Sequence, residues 1–85
     1  MPTVIFLFGW RYFFYSDEGS EPLHIHCEKG EKEAKFWLDV KTRAITLAFA
    51  HNMSAKDMRD VKRVIGQYFD ELLKAWKNHQ KKRGR

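Results

Sequence analysis

The residues with the most chemistry to offer are His24, His26 and Glu28, spaced two apart in the stretch Glu21-Pro22-Leu23-His24-Ile25-His26-Cys27-Glu28-Lys29-Gly30. Read as a β-strand, such a stretch sends alternate side chains to opposite faces. Leu23, Ile25 and Cys27 then make an apolar stripe, and the two imidazoles and the carboxylate line the other side. Residues two apart on a strand lie ~6.6–6.8 Å apart along it, so two histidines can converge on one divalent ion with oxygen from Glu28 or Glu33. Zinc, manganese or iron suits that donor set. The same pair can act as general base and acid on RNA, because imidazole titrates near neutral pH. The plainest alternative is a polar strand face that packs against another protein.

The elements that must hold these residues follow from pattern. Gly30-Glu31 reads as a two-residue hairpin loop with glycine first. Its register sets Cys27 against Ala34, Ile25 against Phe36 and Leu23 against Leu38 on one face. Glu28 meets Glu33, His26 meets Lys35 and His24 meets Trp37 on the other. A one-residue slip would scramble both faces, so the pattern specifies the register. Lys35 beside His26 places a like charge where a cation would sit. The expected cofactor is therefore none, with a divalent metal on His24, His26 and Glu28 as the weaker alternative. In the RNA reading, Lys35 or Arg11 stabilises phosphate charge and Trp37, Trp10 or Tyr12 stacks on a base.

An earlier hairpin is expected from Thr3–Phe8 and Arg11–Ser16, with Gly9-Trp10 as a type II′ loop. That loop would pair Leu7 with Tyr12, Ile5 with Phe14, Phe6 with Phe13 and Val4 with Tyr15. Both faces of this hairpin are apolar or aromatic, so it is either covered on both sides or presents one aromatic face to a partner. Residues 17–22 form a polar loop. Ile45, Leu47 and Phe49 alternate within residues 44–50, giving a short fifth strand or, alternatively, a buried helical turn. Ser54-Ala55-Lys56-Asp57 reads as a capping box. Met58, Val61, Ile65, Tyr68 or Phe69, Leu72, Leu73 and Trp76 then recur at helical spacing. One long helix is expected over about residues 55–79. Gly66 interrupts its propensity by ~1 kcal/mol relative to alanine, and a close approach to the sheet would account for it.

The expected fold is thus α+β: an antiparallel sheet of two hairpins, four or five strands within residues 3–49, packed against one long C-terminal helix. A chain of 85 residues makes one domain, and no apolar run approaches the ~20 residues of a spanning helix. Cys27 alone excludes an internal disulfide framework and points into the core as a small apolar residue. With no secretory signal pattern at Met1-Pro2-Thr3-Val4, a reducing cytoplasmic setting is the default. The net charge of +5 is concentrated at the C-terminal end. Lys74, Lys77, Lys81, Lys82, Arg83 and Arg85 stand there without an acid, suiting nucleic acid or an acidic partner. A soluble helix end whose cations complement the helix dipole is the competing account. His51 and His79 read as solvent or capping residues.

Several segments together resemble a small bacterial family of unknown function. They are Trp10-Arg11-Tyr12-Phe13-Phe14-Tyr15-Ser16, Glu21-Pro22-Leu23-His24-Ile25-His26, Ala34-Lys35-Phe36-Trp37-Leu38 and the helix carrying Leu72, Leu73 and Trp76. That family commonly has proline where Leu23 stands, giving Glu-Pro-Pro-His-Val-His, and both histidines keep their places here. The resemblance implies a protein encoded beside a second small protein, as in toxin–antitoxin pairs. The leading expectation is a component of such a pair that binds or cleaves RNA through the His24–His26 face, as a metal-independent ribonuclease if it is an enzyme. Trp10, Arg11, Tyr12, Lys35, Trp37, Lys81, Lys82 and Arg83 would then contact nucleic acid or the partner. The rivals are a non-catalytic module that forms a homodimer or binds a cognate small protein, and a DNA-binding regulator.

Overall fold

In the computed structural model, residues 3–14 and 22–83 are described, with side chains from residue 5 to residue 78. Residues 17–21 of the expected loop over residues 17–22, and the Val4–Tyr15 pair, lie outside the described residues. The strands β1 (Thr3–Leu7), β2 (Trp10–Phe13), β3 (His24–Lys29), β4 (Lys32–Leu38) and β5 (Ile45–His51) form one antiparallel meander in chain order. Helices α1 (Ala55–Gln67) and α2 (Phe69–Arg83) follow. The architecture is α+β, with a five-stranded sheet and two helices.

The β3–β4 register is the expected one at every pair from His24↔Trp37 to Lys29↔Lys32. The Leu38 amide donating to the Leu23 carbonyl at 3.0 Å extends it by one pair. Gly30 has φ 60°, the conformation that a first-position glycine supplies to this loop. The first hairpin differs from expectation. Its loop is Phe8-Gly9, with φ 54° and 83°, so Leu7 pairs with Trp10, Phe6 with Arg11 and Ile5 with Tyr12. Both central residues at positive φ mark a type I′-like turn rather than type II′. Because the pairing slides by an even number of residues from Ile5 to Leu7, these residues keep their expected faces, and an irregularity between Thr3 and Ile5 then sets Thr3 opposite Phe13.

Trp10, Tyr12, Leu23, Ile25, Cys27, Ala34, Phe36 and Leu38 share the sheet face that meets Val61, Val64, Ile65, Phe69 and Leu72 in the core. The apolar stripe therefore does what its spacing predicts. The helical segment, however, is two helices. Tyr68 (φ −106°, ψ 22°) caps α1, its amide bonding the Val64 carbonyl at 3.0 Å. One straight helix over residues 55–79 would run roughly 37 Å, whereas a seven-residue strand spans only about 23 Å. The break at Tyr68 lets α2 take its own direction. Trp76 lies across the end of the sheet, against both Phe14 and His24 (ring centroids 5.1 and 5.2 Å).

Gly66 is not explained by a close approach. A Cβ there would meet Ile45 Cδ1 at 3.8 Å, an ordinary contact. The fifth strand forms, and a register irregularity between Lys35 and Phe36 alters its facing. Leu47 pairs with Phe36 on the helix side, but Phe49 pairs with Lys35 on the histidine side. No helix among the described residues is long and apolar enough to cross a membrane.

Candidate functional site: a ring-and-cation face

Pairing across β2, β3 and β4 gathers Arg11, Phe13, His24, His26, Glu28, Lys35 and Trp37 on the sheet face away from the core stripe. Arg11, directly opposite Glu28, brings Nη1 to 3.3 Å from each carboxylate oxygen and lays its guanidinium 4.3 Å above the Phe13 ring. Phe13 stacks on His26 at 5.5 Å, and His24 meets His26 and Trp37 edge-on at 5.2 and 5.6 Å. Lys35 places its ammonium 4.4 Å over Trp37. Such contacts between cations and ring faces are each worth ~0.5–1 kcal/mol or more when desolvated. A run of four rings, Phe13, His26, His24 and Trp37, thus crosses the face, with Arg11 over its first ring and Lys35 over its last.

The two histidines are deep in this array. His24 is 0% exposed and His26 6%. His24 Nδ1 lies 2.7 Å from the Pro22 carbonyl oxygen. A carbonyl only accepts, so Nδ1 carries the hydrogen and Nε2 holds the lone pair in the neutral ring. Proline at position 22 thereby contributes a carbonyl that orients the imidazole. Glu28 is engaged by Arg11 rather than turned toward the histidines. Among the described residues, no three histidine, cysteine, aspartate or glutamate side chains gather as a metal site. Arg11 supplies a compensating charge to Glu28, which faces Glu33 across the strand pair.

The expected binding residues divide between faces. Arg11, Lys35 and Trp37 join the histidines, whereas Trp10 and Tyr12 are buried beneath α1, 5% and 1% exposed. Lys81, Lys82 and Arg83 belong to the last turn of α2, and their side chains lie outside the described residues. His51 ends β5 in an exposed position opposite Glu33. Reasoning from residue types missed Phe13 and Pro22. Phe13 reads as one more core aromatic, and only its pairing with His26 in β3 shows that it belongs to this face.

Comparison with known protein families matches residues 9–77 to the family described as Domain of unknown function (DUF4160). The chain belongs to this family. The matched span of the DUF4160 domain takes in β2 through most of α2, and so every residue of the ring-and-cation face. No curated protein and no solved structure matches the chain.

Proposed function

We propose that this DUF4160 domain is a partner-binding module, one half of a toxin–antitoxin-like pair, which takes a cognate small protein onto the open edge of its sheet. The observation that carries this reading is β5. It ends the sheet, and all its residues from Thr46 to His51 are exposed. The strand, Ile-Thr-Leu-Ala-Phe-Ala-His, contains neither a charge nor a proline. Natural proteins usually guard such an edge with lysine, proline or a covering segment. An unguarded edge with exposed Leu47 and Phe49 suits strand addition, in which main-chain hydrogen bonds give affinity and alternate side chains give selectivity. The second small protein comes from the family resemblance of the Glu-Pro-Leu-His-Ile-His segment.

The test is co-purification with the small protein encoded beside it. A stable complex should form with the wild-type chain and be lost on Phe49→Glu, an exposed position where the fold tolerates a charge. A complex indifferent to Phe49→Glu and to Thr46→Pro would refute β5 as the interface. A dimer of this chain alone, sensitive to the same changes, would redirect the reading to self-association.

A second reading, RNA binding or cleavage on the ring-and-cation face, is favoured by one observation: Arg11, Lys35 and Trp37 share that face with the two histidines. RNA that stays intact in the presence of the protein and binds with no salt dependence would count against it.

A further inference from the structure

A second site lies on the opposite side of the sheet, where α1 crosses the tip of the first hairpin. A cleft of about 720 Å³ opens there between Phe8, Trp10, Tyr12 and Lys29 on the sheet and Arg59, Asp60 and Val64 on the helix. Its volume is that of an ordinary small-molecule pocket. Tyr12 contributes the observation that calls for a ligand. The residue is 1% exposed, and its hydroxyl has no hydrogen-bond partner among the described residues. A buried hydroxyl left unpaired is costly, and such groups are rare in folded chains. Burial raises its pKa, and the Cys27 thiol and the Asp60 carboxylate raise it further. The hydroxyl therefore stays protonated as a donor, within the field of a cleft residue.

The charges around the cleft are unevenly matched. Asp60 is taken by Lys56 and Arg63 at 2.9 and 3.3 Å, and Asp57 by Lys32 at 3.1 Å. Lys29 and Arg59 form no ion pair among the described residues. Lys29 lines the cleft and packs along the Gly9 turn: a Cβ at Gly9 would lie 3.1 Å from Lys29 Cε, and the ammonium sits 6.0 Å over the Trp10 ring. Phe8, at the rim, is 79% exposed and holds φ 54°, a conformation uncommon for a bulky residue.

We propose that this cleft binds a phosphorylated ring compound of mononucleotide size. Lys29 and Arg59 hold its phosphate, Phe8 and Trp10 give the ring an apolar wall, and the Tyr12 hydroxyl donates to a polar atom at its inner edge. The site is separate from the β5 edge and from the ring-and-cation face.

Adenosine monophosphate and inorganic phosphate are the probes, followed by calorimetry and amide chemical shifts on the full chain. Saturable binding of the nucleotide, tighter than that of phosphate, should perturb residues at Gly9, Lys29 and Arg59. Tyr12→Phe should leave the melting temperature equal or higher, since an unpaired hydroxyl is removed, and should weaken the nucleotide by about five- to tenfold. Arg59→Gln, on the exposed helix surface, should weaken both probes and reduce the salt dependence. No saturable binding of adenosine monophosphate up to about 10 mM would overturn the proposal. So would an affinity unchanged in Tyr12→Phe, which would mean that solvent alone satisfies the hydroxyl, or shifts confined to the histidine face.

Discussion

At the scale of single residues, His24 and Cys27 show how burial changes what a reactive side chain can do. His24 has no exposed surface and is wedged among His26, Trp37 and Trp76. Removing it leaves a cavity and an unpaired Pro22 carbonyl, so His24→Ala should cost ~2–4 kcal/mol. At roughly 4–8 °C per kcal/mol for a domain of this size, thermal melting will reveal that loss plainly. An unchanged melting temperature would mean that the ring is not a packing element. Loss of biological activity in this mutant therefore needs a folding control before it is read as lost catalysis. Cys27 lies opposite Tyr12 and Ala34, and burial pushes its thiol up to about 12. At pH 8 the thiol is neutral and shielded, so an aromatic disulfide reagent should react slowly with the native chain and fast once urea is added. Rapid labelling of native protein would place this thiol at the surface instead.

Among the elements, α1 is set by its ends and weakened in its interior. Ser54 Oγ accepts from the Asp57 amide at 3.0 Å, and the Asp57 carboxylate accepts from the Ser54 amide at 3.1 Å. The Ser54 N–H, and after it the Lys32 ammonium, hold the Asp57 carboxyl below its usual range. A group whose pKa is lowered by folding stabilises above its unfolded value and loses that contribution as pH falls through the folded one. The Asp57 contribution should accordingly be complete well above about pH 4 and be lost progressively as pH falls from there through the lowered folded value. Asp57→Asn should flatten the acid limb of stability against pH, which urea titrations from neutral to acid can measure. Gly66 offers the opposite case. The site has room for a methyl group, since a Cβ added there would make an ordinary contact with Ile45 Cδ1 at 3.8 Å, and it lies inside a helix. Gly66→Ala should stabilise by ~0.5–1 kcal/mol; a fall in melting temperature would point to a need for glycine beyond helix propensity.

For the whole molecule, the decisive fact is that, among the described residues, the helices pack on one face of the sheet and reach the other at Trp76, which lies against His24. The opposite face is built from rings, cations and buried histidines. Leu72, 1% exposed in α2, joins that helix to the core. Leu72→Ala should cost ~2–5 kcal/mol, a large part of the ~4–13 kcal/mol available to a chain of this length. Equilibrium urea unfolding will show it as a lower midpoint with an unchanged slope. The edge at β5 is likewise a property of the assembled sheet. The strand's apolar character is written in residues 45–50, but its being last in the sheet is set by the order of strands.

Sequence by itself determined whatever depends on local pattern. The β3–β4 register was legible because three apolar pairs and a glycine-first loop agree on it, and a slip would invert every face. The capping box and the helical stripe were legible for the same reason, since their partners are three or four residues away. The turn at Phe8-Gly9 was not, because sliding by two residues keeps the same faces and so leaves the apolar pattern silent between the two registers. The bulge that turns Phe49 to the histidine side and the break at Tyr68 were likewise settled by packing against neighbours distant in the chain. Tertiary structure alone decided that His24 is enclosed rather than presented, that Trp10 and Tyr12 lie under α1, and that Arg11 takes Glu28. These depend on which strand lies beside which and on what covers each face, and a side chain's exposure is fixed only when those layers meet.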